Sequence, residues 1–281
     1  MTNNPRGHSA PATGELLLAH VVDAIAQRVV VFSGKGGVGK TTVAVNLAFT
    51  LAARGRRVGL LDADLTGPNV AQMSGVKGPA RGSGDRILPH EIHGVKIVSL
   101  ASMLPEGAPV IWRGPMRSKV IEQLLEDTDW GTLDVLVVDL PPGTGDEVLT
   151  VVQRIGPQTA VVVTTPQEVA RADARRAVGF AKQLGIAKIG LLENMSGLIC
   201  PHCGQRVDVF GADQGASEAA SLGVRFLGSV PLDPTVPGDG DAGRPVVVGS
   251  PKSLVARALQ DLASALEDWT KEPAVAADLP A

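Results

Sequence analysis

The chain has 281 residues, 44% of them hydrophobic, which is enough to bury one large core. A net charge of -3 and a pI near 6.0, with Lys and Arg scattered along the sequence, leave no electrostatic footprint for nucleic acid. Met1–Thr13 is polar and lacks a signal-peptide core, and no run of about 18 apolar residues occurs anywhere, so neither secretion nor a membrane span is expected and the expected location is cytoplasmic.

The two cysteines, expected in a reducing compartment, argue against a structural disulfide and leave metal or redox chemistry as their use. Aromatic residues make up 3% of the chain and tyrosine is absent, which implies a Val, Leu and Ala core with little stacking surface for bases.

In chain order, residues 1–14 read as a disordered tail, and Glu15–Ala26 as a short helix leading into a first strand, with no separate domain ahead of it. The apolar run Val29–Phe32 predicts that strand, and the helical pattern from Val43 to about Ala53 predicts the next helix. Between them lies Ser33-Gly34-Lys35-Gly36-Gly37-Val38-Gly39-Lys40-Thr41-Thr42, where Gly34, Gly39, Lys40 and Thr41 satisfy G-x-x-x-x-G-K-[ST] in the strand-then-helix context that the motif requires. Glycines let backbone N–H groups converge on phosphate oxygens, and the helix N-terminus adds its positive dipole end. Residues 34–42 are thus expected to hold ATP, with Lys40 on the β and γ phosphates and the Thr41 hydroxyl on magnesium.

Val58–Leu61 reads as a buried strand ending in Asp62-Ala63-Asp64. Residues 76–94 read as a loop excursion that can hold a hairpin, followed by a strand at Val95–Leu100. Met116, Val120, Ile121, Leu124 and Leu125 recur at helical spacing, and Leu133–Val138 is a strand apolar on both faces that ends at Asp139. Strands at Ala160–Val163, Ile189–Leu192 and Val224–Leu227 and a helix at Gln167–Leu184 complete an α/β alternation, and Val255, Leu259, Leu262, Leu266 and Trp269 form one stripe of a last helix. The expected fold is a mostly parallel sheet flanked by helices on both faces, with ligands at the carboxyl ends of its strands. Ser33, Asp62, Asp64 and Asp139 should therefore face one site.

Asp139 heads Asp139-Leu140-Pro141-Pro142-Gly143-Thr144-Gly145 after a buried strand, which suits a carboxylate that holds magnesium. Gly143 is placed to read the γ-phosphate through its N–H. Of the two aspartates at the preceding strand end, Asp62 is assigned to the magnesium shell and Asp64 to the attacking water. Asn194 can bond the edge of the base, or serve as an ordinary turn asparagine, and Pro231 and Asp233 can close the base pocket or mark a turn.

Cys200-Pro201-His202-Cys203-Gly204 is a second chemical centre, a tight turn that aims two thiolates at one metal. Zinc or a 4Fe-4S cluster wants four protein ligands, and a symmetric dimer supplies two plus two. A redox disulfide and an inert thiol pair are the other two readings; a redox C-x-x-C should open a helix, whereas Gly204-Gln205-Arg206 follows here.

Lys35 completes the form K-G-G-x-G-K-[ST], which resembles the deviant Walker A motif of the MinD, ParA, ArsA and nitrogenase iron-protein superfamily. The resemblance implies that Lys35 reaches across a nucleotide-sandwich dimer to the partner's phosphates. Asp62–Asn69, Val110–Met116, Asp139–Asp146, Glu193–Ser196 and the C-P-H-C turn, all in order, make the chain similar to the Mrp/ApbC-type P-loop ATPases over about Val29–Val248. That likeness implies one ATPase domain over residues 15–269, with the metal loop at about 195–212 and a disordered tail at 270–281. It further implies an ATP-hydrolysing, magnesium-dependent homodimer that bridges a labile 4Fe-4S cluster between Cys200 and Cys203 of each chain and passes it to apoproteins, with zinc as the other metal. The small N-terminal domain of many Mrp proteins and the extra N-terminal cysteines of their eukaryotic cytosolic relatives are not in this sequence. A MinD- or ParA-like positioning ATPase and a cluster-bearing ATP-dependent reductase are the alternatives; the lack of a basic patch counts against the first and the close spacing of the cysteines against the second.

Overall fold

The computed structural model describes residues 21–84, 86–103, 114–200, 202–211 and 213–272. In chain order the elements are β1 (Ile25–Phe32), α1 (Lys40–Ala53), β2 (Val58–Asp62), α2 (Val70–Met73), β3 (Arg81–Ser83), β4 (Arg86–Leu88), β5 (His90–Ile92) and β6 (Val95–Ser99). They continue through α3 (Gly114–Glu126), β7 (Leu133–Asp139), α4 (Asp146–Ile155), β8 (Thr159–Thr164), α5 (Glu168–Gln183), β9 (Lys188–Ile199) and β10 (Arg206–Val207). The last are α6 (Gly215–Ser221), β11 (Arg225–Leu232), α7 (Val236–Asp241), α8 (Val246–Gly249) and α9 (Leu254–Lys271).

One sheet runs β10-β9-β8-β1-β7-β2-β6-β5, with β11 also paired to β9, and β3 and β4 form a separate hairpin within the expected loop excursion. Its strands are parallel except for β5 and β10 at the margins. Parallel strands joined by helical crossovers are covered on both faces, which is why β1, β2, β7, β8 and β9 carry continuous apolar runs. The register sets Asp139 of β7 beside Asp62 of β2 and Val31 of β1, so the ends of three central strands open on one place.

Helices α3, α4, α5 and α6 cover one face and α1, α8 and α9 the other, each over its own apolar cluster. Helix α1 is buried almost all round, from Val43 to Leu51, as befits a helix between a sheet and a second helix layer. Gly59 of β2 lies against Trp130: a Cβ there would come within 2.6 Å of Leu133 Cδ1 and 2.9 Å of Trp130 Cζ3. Trp130 is 2% exposed and its Nε1 donates to Leu125 O at 3.1 Å. Trp130→Ala is expected to cost about 3–5 kcal/mol, read as a lower urea midpoint.

Several boundaries differ from those expected. The helix assigned to residues 15–26 ends at residue 23, because the chain joins the sheet at Ile25 opposite Leu133; residues 15–20 lie outside the described set. Strand β9 continues seven residues past Leu192, and β11 includes Pro231 and Leu232, because each gains the other as a partner. Met116, placed on the buried stripe of α3, is 50% exposed at the start of the helix, while Ile121, Leu124 and Leu125 are buried. Helix α4 was not expected, although it has acidic Asp146 and Glu147 in its first turn, buried Val148, Val151, Val152 and Ile155, and Gly156 at φ 58 to stop it. Residues 270 and 271, assigned to a C-terminal tail, belong to α9, which runs to Lys271; residues 1–14, 273–281 and the motif at 110–113 lie outside the described residues.

Candidate functional site

The loop from Ser33 to Gly39 leaves the end of β1 and enters α1, so its N–H groups and those of the first helical turn open on the same space. Gly37 and Gly39 have φ of 82° and 85°, where a side chain is strained. Gly39 has a second reason to be glycine: a Cβ there would sit 2.2 Å from Asn194 Nδ2. Gly34 is equally constrained, because its Cβ would fall 2.1 Å from the Asp173 carbonyl oxygen of α5. Gly36 is exposed and Val38 buried, and Thr42 lies one residue into the helix beside Thr41. Ser33, expected to face the same site as Asp62, Asp64 and Asp139, is 1% exposed; its Oγ donates to Lys35 O at 2.7 Å, and its carbonyl accepts the Gly143 N–H at 2.8 Å.

Two carboxylates converge on one ammonium. Lys40 Nζ lies 2.6 Å from Asp139 Oδ1 and 3.7 Å from Asp64 Oδ2, and Thr41 Oγ1 donates to Asp139 Oδ2 at 2.7 Å. Asp62 stands behind them, fully enclosed, taking Ser99 Oγ at 2.9 Å and the Val70 N–H at 3.2 Å on Oδ2 and the Asp64 N–H at 3.2 Å on Oδ1. Burial, with the Asp139 carboxylate close by, pushes Asp62 up to about 8. Burial also raises Asp139, against the opposing pull of Lys40. This surplus of buried acid, with a hydroxyl beside a carboxylate, is a hard-oxygen donor set that suits magnesium at Thr41 and Asp139. Asp62 thereby differs from the expectation: its oxygens are spent on Ser99 and the loop from 64 to 70, so it orders Asp64 rather than opening on the ligand space. Asp64 lines a groove of 820 Å³ with Thr66, Arg117, Pro142 and Gly145.

The expected γ-phosphate contact at Gly143 also differs, since that N–H is committed to Ser33 and ties the loop after β7 to the phosphate loop. Lys35 is half-buried, and its ammonium makes no hydrogen bond or ion pair with the described residues.

A cavity of 370 Å³ lies beside α1, bounded by Gly39, Thr42, Asn194, Met195, Pro231 and Asp233. The structure thus brings together the three residues considered for the base. Asn194 Nδ2 donates to Val38 O at 2.8 Å, which braces the phosphate loop, and Asp233 Oδ1 accepts from Thr235 N and Oγ1 at 2.9 and 2.7 Å, so the turn role considered for Asp233 is present as well. Met73, Val236 and Gly240 complete the cavity from α2 and α7, and no motif in the sequence pointed to them.

The cysteine turn projects from the end of β9. Cys200 N donates to Gln205 O and Gly204 N to Cys200 O, each at 2.9 Å, and β10 returns antiparallel opposite Leu198 and Ile199. Both thiols are free; Cys200 is half-buried and Cys203 exposed. Backbone N–H groups of Cys203 and His202 point at the Cys200 sulfur and lower its pKa, favouring the thiolate that binds metal. Among the described residues no group of three or more His, Cys, Asp or Glu side chains is arranged to hold a metal ion, so one chain offers two thiolates.

A family model described as ParA: NUBPL iron-transfer P-loop NTPase matches residues 24–267. An iron-sulfur cluster carrier protein of Pyrococcus horikoshii is 46% identical over 257 residues, covering 87% of each chain. Among solved structures, a nucleotide-binding protein of Archaeoglobus fulgidus in complex with ADP is 35% identical, with a TM-score of 0.74 over 85% of this chain and 94% of that one. The cell division ATPase MinD of Pyrococcus furiosus, 24% identical, has the same fold at a TM-score of 0.67 over 87% of this chain and 99% of its own.

Proposed function

Because the chain belongs to the ParA/NUBPL iron-transfer P-loop NTPase family, we propose that it hydrolyses ATP as a homodimer, bridges one 4Fe-4S cluster between two copies of its cysteine turn, and passes the cluster to apoproteins. The observation that carries this is the pairing, on one chain, of a complete phosphate and cation cradle at residues 34–42, 64 and 139 with a two-thiolate turn that is half of a metal site. The proposed setting is the cytoplasm; among the described residues no helix is long and apolar enough to cross a membrane.

In the proposed cycle the N–H groups of residues 36–41 and the Lys40 ammonium bind the phosphates, Lys40 giving up its contact with Asp139 as it does so. Thr41 and Asp139 would hold magnesium, which supplies charge neutralisation on the β and γ oxygens. Asp64 orients the water whose oxygen attacks the γ-phosphorus as the bond to the ADP oxygen breaks. Asp62 and Ser99 keep Asp64 in place from behind. Lys35, uncommitted among the described residues, reaches the partner's phosphates. The base lies in the cavity bounded by Asn194, Pro231 and Asp233, which also lets Asn194 keep its brace on Val38.

Anaerobic reconstitution with iron and sulfide, followed by sizing, tests the bridged site: about four irons per two chains in the dimer fraction are expected. About four irons per chain, or a cluster on the monomer, would refute it. Lys35 has its own test. Lys35→Ala and Lys40→Ala are each expected to be inactive, and their mixture to regain part of the ATPase rate, since a mixed dimer can assemble one intact site. Normal hydrolysis by Lys35→Ala alone, with no gain on mixing, rules out action across the dimer.

A further inference from the structure

Strand β9 passes both sites. At Asn194 it bonds the phosphate loop and lines the cavity beside α1, and six residues later it delivers Cys200. The strand is not regular between these points. Val230 of β11 pairs with Asn194 and Leu232 with Leu198, so β9 spends four residues where β11 spends two, and residues 195–197 bulge out of the ladder. Met195 has φ 58 and Gly197 φ 72, and a methionine in that region stores strain.

The bulge is held from two sides. Inside, Ser196 Oγ donates to Oε1 of the buried Glu193 at 2.6 Å, while Glu193 Oε2 has no hydrogen-bond partner among the described residues, which leaves a spare acceptor if the serine shifts. Outside, Arg206 of β10 lies against Gly197, its Nε 2.6 Å from where a Cβ would be, and pairs with Asp208 and Asp213 at 2.8 Å. Arg206 belongs to the strand that returns from the cysteine turn, so the turn is joined to the bulge through both of its arms. The wall between the two sites is equally thin. Pro231, Leu232 and Asp233 bound the cavity beside α1 and, on their other side, an apolar groove of 390 Å³ that also contacts Leu198 and Ile199, the residues just before Cys200.

We propose that the cysteine turn senses the base of the bound nucleotide, not its γ-phosphate, through the bulge at residues 195–197. This rests on the cavity beside α1 being the base pocket of the ATP site. Met195 and Pro231 line the cavity that a base would occupy, whereas Asp64 and Asp139 are engaged with Lys40, Thr41 and the backbone of residues 66 and 67. An occupied cavity therefore fixes the bulge and the turn alike whether two or three phosphates follow, and the geometry presented to a cluster is set by nucleotide binding rather than by hydrolysis.

The test follows iodoacetamide alkylation of Cys200 and Cys203 in the reduced, cluster-free full-length chain, alone and with ADP, magnesium ATP or tripolyphosphate. ADP and ATP are expected to slow alkylation alike, by about fivefold or more, and tripolyphosphate to leave it unchanged. Ser196→Ala, which loosens the bulge without touching the cavity, is expected to reduce the protection below about twofold while ADP affinity measured by calorimetry stays near wild type. Protection by ATP alone, equal protection by tripolyphosphate, no protection by ADP that demonstrably binds, or full protection in Ser196→Ala each overturns the proposal. A chain that binds no ADP overturns the nucleotide site itself, and calorimetry separates that outcome from the others.

Discussion

Lys40→Ala is expected to lower ATP turnover by about 10²–10³-fold, the size of effect seen when one preorganised electrostatic contact to a developing charge is lost. Asp64→Ala should fall in the same range for a different reason, loss of the water's orientation, and should leave ADP affinity nearly intact. The two differ in stability as well. Lys40 is the cation against which Asp139 and Asp64 are buried, so its removal leaves acid uncompensated and is expected to lower the melting temperature in the absence of nucleotide. Asp64→Ala removes one of the crowded carboxylates and should not. Thr41→Ala and Asp139→Ala are expected to shift the magnesium dependence of turnover before its maximum. Near-wild-type turnover in both Lys40→Ala and Asp64→Ala would falsify the ATPase assignment.

Cys200→Ala and Cys203→Ala should each reduce bound iron and sulfide after reconstitution to background, because a bridged cluster left with two of four thiolates has no substitute ligand among the described residues. Neither change touches the phosphate loop, and ADP affinity is expected to stay within about twofold of wild type. The two cysteines differ in their surroundings. Cys200 receives the N–H groups of His202 and Cys203 and is half-buried, whereas Cys203 is exposed. A cluster that survives either substitution ends the case for the turn as its holder.

The phosphate loop, its two flanking elements and the strand-end aspartates were legible in the sequence because each rests on a local rule: close backbone approach, a helix start, an apolar run buried on both faces. What could not be read depends on chain segments that meet only in three dimensions. Nothing near Asp62 announces Ser99, yet that hydroxyl, 37 residues on, engages its carboxylate. Gly143 looks free to meet a phosphate until Ser33, 110 residues earlier, is found to hold its N–H. Strand β9 runs well past the expected end at Leu192 although Asn194-Met195-Ser196-Gly197 has the composition of a turn; β11 overrides that local preference by resuming the ladder at Leu198. Helix α4 is the opposite case, since its acidic start, its buried spacing and its terminal glycine are all local features of the sequence.

Strand β11 has a further consequence. Among the described residues it pairs only with β9, so its other side is the longest open margin of the sheet, eight residues from Arg225 to Leu232. An open margin of that length is a template on which foreign strands can assemble. Here Pro231 offers no N–H, Gly228 at φ 114 breaks the pleat, and two register shifts twist the strand away from flatness. Pro231 thus answers to two unrelated demands, the shape of a ligand cavity and the solubility of the whole chain, and a substitution that preserved the cavity could still be lost to aggregation.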